Sequence, residues 1–174
     1  MKHSTITAIE GGTSMNIWAA MKPTINPSKR AGFTVDEVRG DKELEAARPF
    51  IEAFGINLRV CANNEHEPCI ESYHRLLQER MRGLLANRVF NKLPQMLLRA
   101  LAKYVTFYLN HLPWNSGVSK TLSPAYIVSG QRLDYNNHCQ LEFLEYVQVH
   151  NPSDNNIKPR TSPLATGGRT LTPL

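Results

Sequence analysis

The stretch GFTVDEVRGDKELEAARPFIEAFGINLRV, residues 32–60, decides the fold class. Phe33, Val35 and Val38 predict a short strand that ends at Gly40-Asp41. A helix is expected over about residues 44 to 54, with Pro49 in its first turn or kinking it and Gly55 as its stop. Ile56, Leu58 and Val60 then alternate with Asn57 and Arg59, the period-two pattern of a second strand. Strand, helix and strand in so short a span predict a mixed α/β domain.

Downstream, two amphipathic helices follow. The first runs from Pro68 to about Asn87, with Ile70, Tyr73, Leu77, Met81 and Leu84 on one face. The second covers about residues 94 to 112, with Leu97, Leu101, Val105, Tyr108 and Leu112 on its stripe and Pro113 ending it. Ser123-Pro124 reads as a helix start, with Ser as the cap and Pro at the first helical position, and Gly130 reads as its terminator. A last strand is expected within residues 142–150. Upstream, Ile17, Trp18 and Met21 predict one amphipathic turn that Pro23 and Pro27 break. The chain is thus expected to divide into a poorly patterned segment over 1–31, a domain over 32–150, and a flexible tail over 151–174 rich in Pro, Gly, Ser, Thr and Asn.

With 174 residues and 41% hydrophobic composition, the chain fits one domain with a buried core. No run approaches the roughly 18 apolar residues of a membrane span, and the N-terminus lacks the apolar segment of a signal peptide. Three cysteines cannot all pair within the chain, which favours a reducing, intracellular compartment, nucleus or cytoplasm. Twenty Lys and Arg against fifteen Asp and Glu leave +5, which permits a polyanionic partner. No internal repeat, phosphate-binding glycine loop or nucleophile elbow is present.

Chemistry concentrates at few positions. Asp41 stands where a strand gives way to a loop, and Glu71 in the first turn of a long helix. Two carboxylates so placed can hold Mg²⁺ or Mn²⁺, since hard cations take oxygen ligands; alternatively, Glu71 favours the positive end of its helix and pairs with Arg75. Glu71, Arg75, Gln78 and Arg82 follow at helical spacing as one polar stripe, suited to a phosphate backbone or simply to solvent. Between residues 72 and 103, seven basic residues stand against Glu79 alone, an excess of +6. Cys61, His66, Cys69 and His74 offer soft ligands, but without a Cys-x2-Cys knuckle zinc is not expected. They read instead as two buried cysteines and two surface histidines.

Four segments carry a family resemblance: GFTVDEVRGDKELE from residue 32, INLRVCANNEHEPCIESYHRLLQERMR from 56, FYLNHLPWNSGVSKTLSPAYIVSGQ from 107, and DYNNHCQLEFLEYVQVH from 134. Through them, residues 32 to about 150 resemble the integrase region of copia-type retrotransposon polyproteins. The resemblance implies a ribonuclease H-like α/β core in which three carboxylates, D, D and E, hold two divalent ions for attack on a phosphodiester. Asp41 matches the second Asp of that triad and Glu71 its Glu, 29 residues lying between them. Arg75, Gln78 and Arg82 fall where the family would contact the DNA backbone.

One departure matters. No Asp precedes Asp36, which shares a strand with Asp41, and Glu10 is the only acid upstream of it. The opening strands and the first triad Asp therefore have no counterpart here, and the core is expected to be incomplete. The expected function is that of an integrase-like domain without catalysis, retaining nucleic-acid binding, with DNA as its partner, no membrane association and self-association possible. The alternative is a helical protein-interaction module that exposes the two apolar stripes.

Overall fold

The computed structural model describes residues 3–61, 68–86, 93–113, 119–150 and 165–169. It is a mixed α/β structure, mostly helical, with one small parallel sheet. Strand β1 (Glu37–Gly40) pairs in parallel with β2 (Asn57–Val60), with Val38 opposite Leu58 and Gly40 opposite Val60. Parallel strands need a crossover. It consists of a 3₁₀ turn (Lys42–Ala47) and helix α2 (Arg48–Ala53). The single helix expected over 44 to 54 is thus two pieces, and Pro49 explains why. An α-helix running through it would press its ring against the Glu45 carbonyl, whereas restarting at Arg48 places Pro49 in a first turn.

Two glycines permit this tight β–α–β unit. Gly55 ends α2 with a φ of 76°, in the left-handed region that costs a residue with a Cβ roughly 1 kcal/mol or more. At Gly40 a Cβ would overlap the Leu44 side chain, which folds back over the end of β1. The alternation read in β2 holds: Ile56 and Leu58 are buried while Asn57 and Arg59 are exposed. β1 is shorter than the sequence pattern suggests, and Phe33 stays outside it at 39% exposure.

The largest departure lies upstream. Helix α1 (Ser14–Arg30) runs unbroken through Pro23 and Pro27, where the sequence predicted a single turn. Thr13 caps it by accepting from the Asn16 amide at 3.3 Å. Each interior proline removes a helix hydrogen bond and costs about 3 kcal/mol. Burial offsets this: Ile17, Trp18 and Ile25 are each under 8% exposed, and side chains of this size contribute about 1.5–3 kcal/mol apiece. They pack with Ala47, Ile51, Ile56 and Leu58 in one cluster, so α1 lies against the β–α–β unit as part of its core. Trp18 meets Phe54 edge-on at 5.2 Å, and the Lys29 ammonium lies 4.4 Å from the Phe54 ring centre.

A second cluster forms around helices α3 (Pro68–Ala86) and α4 (Gln95–His111). Leu101, Tyr104, Val105 and Leu109 of α4 are buried, and Tyr73, Leu77, Met81 and Leu84 of α3 pack against them with Phe143 and Leu144. The two apolar stripes therefore face one another. Ile70 and Leu112, assigned to those stripes, stand at the outer ends and are each 45% exposed.

Helix α5 (Pro124–Ser129) touches both α4 and α1. Its Ser123 accepts from the Tyr126 amide at 3.2 Å, and Gly130 closes it in the left-handed conformation, as read from the sequence. Asp134 caps the short α6 (Tyr135–His138) by accepting from the Asn136 amide at 3.0 Å. Strand β3 (Tyr146–His150) pairs antiparallel with β4 (Ala165–Arg169), Tyr146 opposite Arg169 and His150 opposite Ala165. The tail expected to be flexible over 151–174 thus contributes a strand. Composition missed it because Gly167 and Gly168 pair through backbone alone and offer no apolar pattern to read.

No helix among the described residues is long and apolar enough to cross a membrane. Ile51, which is fully buried between strands and helix, tests the packing. Ile51→Ala is expected to lower unfolding free energy by about 2–5 kcal/mol, against less than about 1.5 kcal/mol for Phe50→Ala on the exposed side of the same helix, measured by urea denaturation.

Candidate nucleic-acid interface

The parallel register brings the ends of both strands to one edge of the sheet. The Cys61 amide donates to the Gly40 carbonyl at 2.9 Å, so the residues leaving β1 and β2 start side by side. Asp41 is the first residue beyond β1. It stands at the N-cap of the 3₁₀ turn yet makes no side-chain capping bond, and it is exposed. A capping Asp ordinarily accepts from a nearby amide; here the carboxylate is left to solvent by its own helix. Cys61 is buried under the same edge.

Glu71 lies in the first turn of α3 and is exposed. Arg75, Gln78 and Arg82 continue along the helix, all exposed, as their spacing requires. Packing on α4 uses the other side of the helix, through Tyr73, Leu76, Leu77, Met81 and Leu84, with Leu85 joining at the end of the stripe. The stripe is therefore intact and faces water. Arg99 and Lys103, also exposed, add positive charge on α4, while Arg88 and Lys92 lie outside the described residues.

Asp41 and Glu71 sit on elements that belong to different clusters. Asp41 leaves the strand unit, and α3 packs closely on α4. Among the described residues, no three His, Cys, Asp or Glu side chains converge as a metal-holding group. A complete three-carboxylate centre is thus not assembled from the described residues. For the four soft ligands, Cys69 is exposed in the first turn of α3 rather than buried as expected. His74 is exposed as expected, and His66 lies outside the described residues.

Elsewhere the charges are structural. Arg48 joins Glu45 at 2.6 Å and Glu52 at 2.9 Å, and donates to the Leu58 carbonyl at 3.3 Å. The hydrogen bond from Arg48 holds the Glu45 carboxyl below its usual range, and the two carboxylates push the guanidinium further up. This hub pins the crossover to β2. The sequence reading missed it, although Glu45, Arg48 and Glu52 at intervals of three and four signalled it. Also missed was Asn110, 8% exposed on the apolar face of α4, where a lone amide among Leu, Tyr and Val was the available signal.

No protein-family model matches the chain, and no curated protein matches it significantly.

Because Asp41 and Glu71 are both solvent-facing, removing their charge tests placement without disturbing the core. Asp41→Asn and Glu71→Gln are each expected to shift unfolding free energy by no more than about 0.5 kcal/mol in thermal denaturation.

Proposed function

We propose that the chain is an integrase-like domain of the ribonuclease H-like class that binds nucleic acid through α3 without catalysing strand transfer. The observation that carries this reading is the exposed stripe Arg75, Gln78 and Arg82 on a helix whose apolar side packs, partly buried, against α4. Such a stripe lies along a phosphate backbone as a row of hydrogen-bond donors and positive charge. Its agreement with the integrase resemblance is positional: Asp41 follows a parallel strand and Glu71 opens the long helix after the next strand.

Asp41 and Glu71 supply at most two of the three carboxylates that the resemblance implies. An oxygen-only pair of this kind selects Mg²⁺ or Mn²⁺ over zinc. Two carboxylates hold a hard cation weakly, so the proposal assigns the domain a binding role, intracellular in the nucleus or cytoplasm, with DNA as its partner. The alternative, a helical interaction module, would present the stripes of α3 and α4 to a partner; those stripes pack against each other.

Fluorescence anisotropy with a short DNA duplex tests the proposal. Affinity is expected to fall linearly with salt on a double-logarithmic scale, and Arg75→Ala with Arg82→Ala to weaken binding about tenfold and reduce the slope by about 2. Binding that is absent at low salt, or that ignores both substitutions, overturns it.

A further inference from the structure

The segment ahead of α1 is fastened at Ser4 to the far side of the molecule. The Ser4 amide donates to Asn110 Oδ1 at 3.0 Å, and Asn110 Nδ2 donates back to the Ser4 carbonyl at 2.6 Å. The Ser4 hydroxyl donates to Asn110 Oδ1 at 3.2 Å and accepts from the Tyr73 hydroxyl of α3. Asn110 thus spends its whole amide as a stand-in for a neighbouring backbone, which satisfies a side chain that is otherwise buried. One residue on, the Thr5 hydroxyl pairs with that of Thr24 on α1 at 2.6 Å. Residues 3–5 therefore tie α1 to the α3–α4 pair.

The pairing of Ser4 with Asn110 makes neighbours of the residues that flank them, His3 and His111. His111 is held in place. Its Nδ1 lies 2.8 Å from the Phe107 carbonyl, and its ring rests on the Phe107 ring at 4.2 Å between centres. A carbonyl only accepts, so Nδ1 carries the hydrogen.

We propose that residues 3–5 form an acid-released strap, which holds α1 to α3–α4 at neutral pH and lets go when the part-buried imidazole of His3 becomes charged. Burial first, and then the nearby His111, hold the docked His3 below its ordinary pKa. The sign follows. Undocked His3 binds its proton near the ordinary value of about 6.5 and docked His3 only at lower pH. Docking is therefore fully favoured above that value and is lost as pH falls below it. The groups facing this end of the strap are His111 from α4 and the Tyr73 phenol from α3, with the neutral Thr24 hydroxyl facing Thr5 from α1.

Amide hydrogen exchange followed by NMR on the full chain tests this, with each rate corrected for the intrinsic effect of pH. Between about pH 7.5 and about pH 5.5, protection of the Ser4 amide is expected to fall by about twofold or more while that of Leu101 and Val105 in α4 is kept. In His3→Gln the fall is expected to vanish, and in His111→Gln, which removes only the lesser cause, to shrink in part. Either variant suffices if the other folds poorly. Equal protection at both pH values overturns the proposal, and so does a fall that persists undiminished in both variants.

Discussion

Ile51, Ile56 and Leu58 close over one face of a sheet that is only two strands wide. Two strands are not stable by themselves in water, and a parallel pair less so than an antiparallel one. Burial on that face is thus the condition for β1 and β2 to exist. It in turn sets where Asp41 emerges and where Cys61 begins the path towards α3. The opposite face, with Glu37, Arg39, Asn57 and Arg59, is open to solvent. Parallel sheets are ordinarily covered on both sides. Here Arg39 pairs with Glu37 on the open side, and charged side chains take the place of a second apolar layer.

The same constraint accounts for α1. A helix with prolines at positions 23 and 27 would not persist in isolation. It persists because the sheet offers Trp18 and Ile25 a surface to cover, and because covering it completes the cluster around Ile51. Tertiary burial thereby overrides a strong local signal.

Local chemistry was legible in the residues wherever period and capping act within a few positions. The alternation in β2, the spans of α3 and α4, the Ser123 cap and the turns at Gly55 and Gly130 all belong to that class. So does the Glu71, Arg75, Gln78 and Arg82 stripe, since helical spacing alone puts those side chains on one exposed flank. What escaped depends on partners distant in sequence. Pro23 and Pro27 announce a break that only the packing of Trp18 reverses, Gly167 and Gly168 reveal nothing of the strand they pair with, and Cys69 shows its exposure only once α4 is in place. The relation of Asp41 to Glu71 is of the same kind, because it turns on how a strand unit and a helix pair are arranged rather than on either alone.

The bond between Ser4 and Asn110 joins positions 106 apart in the chain, the longest closure described above. The β–α–β unit and the helix pair each close over short intervals, and so form at a smaller entropic cost. Residue 4 has no dock until α4 has been made and packed. The seat of Ser4 thus exists only when α4 is packed, so anything that loosens α4 also releases this segment.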